Sequence, residues 1–483
     1  MALKTIIVTL LPVILALALS GCTQSESRSL ASDSESLASK ASCAFTTRSI
    51  PSAANTEGKT QSCTASLPVS KPSSIPVSAS VTNSGNYSLV CKSSGQWEVT
   101  PSASYCPPPA LVVAPITPPP PAEKSRGVRL DPAYFYSSHA GQSPSQIATD
   151  VISSLKNART NTIYLYAYNA IYGAYYPTTY AQTLVEPGYG LQNIFGALLS
   201  EAHSQGLKVV AVVPLNNFKS VWQNNSAWRV KQAGGVDYVP YSDTYLLSAS
   251  STEYKNWYTG FINDLIARNP SVDQVEAVEP TLDYFWSGIP DQNPAALSAF
   301  SAQYPGAAVG SASWLNFRAQ EFLNLVALFN QIVHANNKES GLVHTWTVKS
   351  DGSLMDARVI RDSSGFDFVG VATLTGTSKT DHMVSEFIWQ QWFSEYASIL
   401  FNPDWITQVA ATYTNTLRAA GSSSDLIVHV EISTFTGAKN TTTPTNSEFG
   451  QTLANTATLT NGVSVYDYNQ IRTRSAFSEL SKW

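Results

Sequence analysis

The chain is poor in charge, in histidine and in cysteine, and each shortage removes a class of function. Only 13% of its 483 residues are charged and the formal balance is -5. That leaves no basic field to hold a phosphate backbone, so nucleic acid is not an expected partner. The six histidines are scattered with no His-x-x-x-His or similar ligand spacing. This argues against a metal-dependent deacetylase, and no metal or cofactor is called for. Long apolar runs are also scarce. The stretch Ile6 to Leu19 behind Lys4 is too short for a comfortable membrane span and has the layout of an export signal.

The five cysteines divide unevenly. Leu19-Ser20-Gly21-Cys22 resembles the bacterial lipobox. That resemblance implies a signal at 1–21, a lipid on Cys22 and, with Thr23 rather than Asp next, the outer membrane or cell surface. Residues 22–42 are Ser-rich without apolar periodicity, as a tether would be. Cys43, Cys63, Cys91 and Cys106 fall within the short segment 43–106, and in an exported chain four such cysteines imply two disulfides with three possible connectivities. Tyr87 to Cys91, Gly95-Gln96-Trp97, Pro101 and Cys106 resemble a sushi (complement control) module. The family's pairing would join Cys43 to Cys91 and Cys63 to Cys106. Its expected role is a spacer. Prolines at 107–109 and 118–121 mark a semi-rigid linker over 107–124, and the main domain is expected at 125–483.

Over the whole chain the apolar content of 43%, with 11 Trp and 23 Tyr, can fill a large core and line a surface for sugars. Strand-like runs alternate with helical ones. The expected strands are Gly127 to Asp131, Thr162 to Tyr168, Lys208 to Val213, Gln274 to Glu279, Leu342 to Val348, Phe366 to Ala372, Leu426 to Ile432 and Val463 to Tyr468. Between them lie amphipathic patterns such as Pro144 to Lys156 and Phe317 to Asn336, with only Leu354 to Arg361 for the fifth helix. Eight such units predict a (β/α)8 barrel preceded by a small disulfide-bonded β module.

Parity then separates two faces of each strand. Tyr164, Tyr166 and Tyr168 alternate with Ile163, Leu165 and Ala167, and His429 and Glu431 with Val428 and Val430. His344 and Trp346 alternate with Val343 and Thr345, Tyr466 with Val465, and Arg129 and Asp131 with Val128 and Leu130. A lumen collecting acids, imidazoles and rings points to an open cleft at the strands' carboxyl ends, since unpaired burial of such groups costs several kcal/mol. Glu276 is expected to be a buried acid paired with Arg129.

The stretch Val272 to Trp286 carries the chemistry: a short strand, Glu279-Pro280, then Asp283 flanked by Tyr284, Phe285 and Trp286. Hydrolysis of a sugar linkage needs two acids flanking the bond and rings to hold the sugar. Glu279 is the expected acid/base with Asp283 as its stand-in, and Glu431 the expected nucleophile or base. Tyr166, Tyr168, Trp286, Trp346 and Tyr466 would form sugar platforms, with Asp131 at the cleft and Asn216 donating to a hydroxyl.

Arg126 to Leu130, Tyr175-Tyr176-Pro177, Leu198 to Pro214 and Trp314 to Ala335 resemble the glycosyl-hydrolase-like family 10 barrel, also found in poly-N-acetylglucosamine export proteins. The resemblance covers about Arg126 to Val348 and implies a (β/α)8 fold with glycosidase-like chemistry. It departs at the fourth strand, where Val278-Glu279 stands in place of the family's paired aspartates and three residues intervene before Asp283-Tyr284-Phe285. Glu279-Pro280 also resembles the acid/base motif of the large retaining-glycosidase clan, and Glu431 ends the seventh strand where that clan keeps its nucleophile. The expected function is a monomeric, lipid-anchored glycoside hydrolase acting on a polysaccharide. The alternative is a non-catalytic polysaccharide-binding or export lipoprotein.

Overall fold

A computed structural model describes residues 47–51, 62–66, 75–78, 86–91, 97–101, 123–278, 280–284, 287–345, 353–388, 402–432 and 444–483. The chain divides into two units, Met1–Pro120 and Pro121–Trp483. In the first, Thr47–Pro51 pairs antiparallel with Ser62–Ser66, and Ile75–Ser78, Asn86–Cys91 and Trp97–Pro101 form a second antiparallel sheet. Cys63 and Cys91 lie on strands of different sheets. Cys22, Cys43 and Cys106 are outside the described residues, and with them the expected lipid anchor and disulfides.

The second unit is built on eight parallel strands: β1 (Ser125–Leu130), β2 (Thr162–Tyr166), β3 (Lys208–Pro214), β4 (Gln274–Val278), β5 (Glu339–Thr345), β6 (His382–Ile388), β7 (Asp425–Glu431) and β8 (Gly462–Tyr466). Each pairs with the next and β8 pairs with β1, closing a barrel without edges. Local signals start the surrounding helices. Ser143 and Gln146 form a capping box ahead of Pro144–Asn157, as Thr445 and Glu448 do for Asn446–Leu459. Ser251, Ser311 and Asn402 cap Thr252–Arg268, Ala312–Ala335 and Pro403–Ala419. The buried face of Thr252–Arg268 reads Tyr254, Trp257, Tyr258, Phe261, Ile262 and Leu265, the helical period that seals one side against the strands.

The strands face two ways. Val128, Ile163, Ala211, Ala277, Leu342, Met383, Val428 and Val465 join the core under the helices. Tyr164, Val210, Val212, Val278, Val343, Val384 and Ile427 form a separate cluster that fills the lumen.

Three expectations are corrected. Phe366 to Ala372 is not the sixth strand: Asp367 accepts from the Gly370 amide at 2.8 Å and starts a helix, Phe368–Ala372, that buries Phe368 and Val371. A short apolar run does not by itself separate strand from helix, and β6 lies further on, pairing Met383 with Leu426. The parity of β5 is inverted, because Val343 joins the lumen cluster while His344 stacks on Phe368, with centroids 5.0 Å apart and planes at 14°. Tyr168 lies beyond the end of β2 in a short pairing with Gly173–Ala174, and its ring sits against Phe218 and Phe261 in the outer core.

Candidate active site

Arg129 and Glu276 meet across the lumen at 2.7 Å, both fully buried, with the guanidinium 4.7 Å from the centroid of the Tyr164 ring. Burial works against the Arg129 charge, but Glu276 together with Tyr166 and Tyr164 outweighs it, so the guanidinium is held above its ordinary range. The pair expected from sequence is therefore present, and it is structural. Breaking either half would strand a charge in the barrel.

Nearer the carboxyl mouth the strands deliver a different set. In β7 the lumen-facing Ile427 is followed two residues on by His429 and then by Glu431, which ends the strand opposite Tyr466 of β8 and Ile388 of β6. His429 is 4% exposed. Its Nε2 stands 3.8 Å from Oε1 of Glu386, the residue opposite it on β6. Burial, and then the positive charge of Arg129, drive the imidazole well below its usual range. The Glu386 side chain is 24% exposed.

Rings stand beside His429 at this mouth. His429 stacks on Tyr466 at 6.0 Å and 22°, and the Tyr466 hydroxyl is 3.0 Å from that of Tyr134. Burial, then Tyr166, Tyr134 and Asp131, push the Tyr466 phenol well above its usual range, so it remains a hydroxyl that can donate. Tyr166 ends β2 half-buried against the lumen cluster.

Other expected site residues lie elsewhere. Asp283 is fully buried. Its Oδ1 accepts from Tyr238 Oη at 2.9 Å, and its Oδ2 from Ser287 Oγ at 2.8 Å and the Gly288 amide at 2.9 Å, with Arg318 Nη2 3.9 Å away. A carboxylate so surrounded ties down the loop after β4. Asp131 is similarly engaged, accepting from the Ala133 amide, Tyr175 Oη and Asn169 Nδ2 at 2.9, 3.0 and 3.0 Å, while burial raises its carboxyl against these bonds. Asn216 uses its amide group to hold the Leu247 and Thr281 carbonyls, at 3.3 and 2.9 Å. Tyr168 turns away from the lumen to the outer core. Glu279, Trp286 and Trp346 lie outside the described residues. Glu386 is the residue the sequence reading missed. Its signal was the alternation of Val384 and Glu386 against Met383 and Ser385.

No family model matches the sequence, and no curated protein matches it. Among solved structures the chain is similar to a β-galactosidase from the psychrophilic Marinomonas ef1, with 14% identity and a TM-score of 0.51 over 71% of this chain and 53% of that one. It is also similar to a β-galactosidase from the haloarchaeon Halorubrum lacusprofundi, with 9% identity and a TM-score of 0.50 over 71% and 52%. An α-L-fucosidase from Paenibacillus thiaminolyticus matches at 15% identity and a TM-score of 0.49, covering 74% of this chain and 48% of that one. The chain thus spans about half the length of these proteins. At such identities the likeness is one of fold, and what this chain shares with these glycoside hydrolases is an eight-stranded parallel barrel.

Proposed function

We propose that the barrel hydrolyses glycosidic bonds in a polysaccharide, with its reacting carboxylates at the carboxyl ends of β4, β6 and β7. One observation carries this reading. The β6–β7 register sets Glu386 opposite His429 and Glu431 two residues further on, beside Tyr466, at one mouth of the barrel. Strand spacing then puts the two Cα atoms about 8 Å apart. From there, carboxyl groups can reach about 5 to 5.5 Å for a retaining mechanism or about 6.5 to 9.5 Å for an inverting one. Glu431 acts as nucleophile or base with Glu279 as acid/base, and Glu386, at this spacing from Glu431, can fill the second role in place of Asp283. Tyr166 and Tyr466 hold the sugar. The chain works at the outer membrane or cell surface, tethered through lipid on Cys22.

The test is release of reducing ends from a panel of bacterial exopolysaccharides by the full-length protein, with the anomer of the first product read by NMR. A polymer cut by the wild type and not by Glu431→Gln supports the assignment. Equal turnover by the two removes Glu431 from the mechanism.

A second reading is favoured by the engagement of Asp131 and Asp283 in internal hydrogen bonds, which takes two acids away from the mouth. In it the barrel binds polysaccharide without cutting it. Retardation of the wild type in polysaccharide gels, without reducing-end release, is its signature.

A further inference from the structure

All four tyrosines that remain strongly exposed among the described residues, Tyr134, Tyr136, Tyr172 and Tyr241, lie in segments that follow β1, β2 or β3, at the mouth end. Two of them are continuous with the site. Tyr134 leans edge-on against Tyr466, with centroids 6.5 Å apart, and shares its hydroxyl contact. Two residues on, Tyr136 leaves 47% of its surface in solvent. Phe135 between them turns inward, fully buried against Tyr468, so the turn Pro132–Tyr134 and the helix Phe135–Ser138 present both tyrosines on the outer side.

Tyr136 is exposed yet fixed. Its hydroxyl donates to Glu186 Oε1 and accepts from the Tyr189 amide at 3.1 Å, and its ring lies 4.5 Å from that of Tyr189. Glu186 is itself buried. Its Oε1 also accepts from the Gly188 amide at 3.1 Å, and its Oε2 from the Gly190 amide at 2.9 Å. A Cβ at Gly188 would stand 1.8 Å from the Tyr136 hydroxyl oxygen, so the glycine makes room for the phenol. Burial and then the bond to Glu186 push that phenol up to about 12, which keeps the donated proton in place at neutral pH. This carboxylate gathers the Gly188 and Gly190 amides together with the Tyr136 hydroxyl, and so holds the ring in place while nearly half of the residue stays in solvent. It pre-organises an amphipathic surface, and the ordering cost is then not met again on binding.

We propose that Tyr134 and Tyr136 are a rigid outer platform for sugar rings, continuing from Tyr466, so that the substrate is a polymer held over several units. Resting on the hydrolase reading above, this extends it from the bond cleaved to the length of chain recognised. The platform extends contact beyond the reacting unit, so a polymer gains more from it than a short glycoside does.

The test uses the full-length chain with a galactan, a mannan and a partly N-acetylated polyglucosamine as polymers, and 4-nitrophenyl glycosides of the same sugars as short probes. Tyr136→Ala lowers the ratio of polymer to short-glycoside kcat/KM by roughly tenfold, as loss of one ring contact of ~1.4 kcal/mol would. Gly188→Ala, which displaces the ring without removing it, lowers the ratio in the same direction, and Tyr136→Phe, which keeps the ring but gives up its bond to Glu186, recovers only part of the loss. The ratio is independent of how much enzyme folds. Unchanged ratios in both Tyr136→Ala and Gly188→Ala overturn the platform. If the wild type cuts none of the probes, the hydrolase reading fails separately. The platform is then decided by gel retardation on the three polymers: retardation weakened by Tyr136→Ala upholds it, and wild-type mobility unaffected by every polymer overturns it.

Discussion

Two regions of the barrel hold buried or half-buried carboxylates, and they are set up for opposite ends. Around the loops that follow β3 and β4, Asp283 and Asp291 sit beside Arg318 with donors filling their oxygens. At the end of β6, Glu386 keeps about a quarter of its side chain in solvent, 3.8 Å from an imidazole that burial holds well below its usual range. The donors around Asp283 and Asp291, more than their neighbours in sequence, make them hold loops.

The sharpest way to break that contrast is Arg129→Met, which leaves Glu276 buried without its partner. Denaturant unfolding is expected to show a loss of about 3–5 kcal/mol, with much of it recovered in the double variant Arg129→Met/Glu276→Met. A single variant as stable as the wild type would mean the lumen pair carries no structural weight.

Next comes pH. Burial lifts Asp291 from 3.8 to about 6, against its bonds from Ser248 and the Asn293 and Lys231 amides. The folded chain therefore holds that proton more tightly than the unfolded one. The stabilisation is complete below about pH 4 and is lost as pH rises towards about 6, by an amount on the order of 3 kcal/mol. Comparing unfolding of the wild type and Asp291→Asn across this window should show a stability difference that shrinks as pH rises from about 4 to about 6.

Asp283→Asn is expected to cost about 1–3 kcal/mol, since it disturbs acceptors for three donors, while the folded fraction keeps its turnover. A loss of turnover with full stability would return Asp283 to the chemistry. Smallest of all, Tyr168→Phe removes one hydrogen bond to Ser220, 3.3 Å long, and should change stability by about 1 kcal/mol or less with KM unaltered. A tenfold rise in KM would put that ring back in the sugar site.

The fold was legible where one face of a strand was apolar and the other plainly polar. The lumen positions of Arg129, Tyr164, Tyr166, His429 and Tyr466 follow from alternation alone, as does the pairing of Arg129 with Glu276. It failed where polarity and burial part company. His344 is polar yet lies among Phe366, Phe368 and Tyr413, so its strand was read inside out. The run from Phe366 to Ala372 is apolar enough for either element, and the deciding feature was the Asp367 cap. That error hid β6 and with it Glu386. Asp283 followed from proximity to a strand end and aromatic neighbours, but sequence does not show that Tyr238, 45 positions away, would occupy it.

The most direct measurement compares Glu431→Gln, Glu386→Gln and Asp283→Asn in a single assay of reducing-end release from one polysaccharide, each corrected for its folded fraction. The account predicts losses on the order of 10² to 10⁴ for Glu431→Gln, a smaller but clear loss for Glu386→Gln and none for Asp283→Asn. Full activity in Glu431→Gln and Glu386→Gln, with the loss confined to Asp283→Asn, would contradict it.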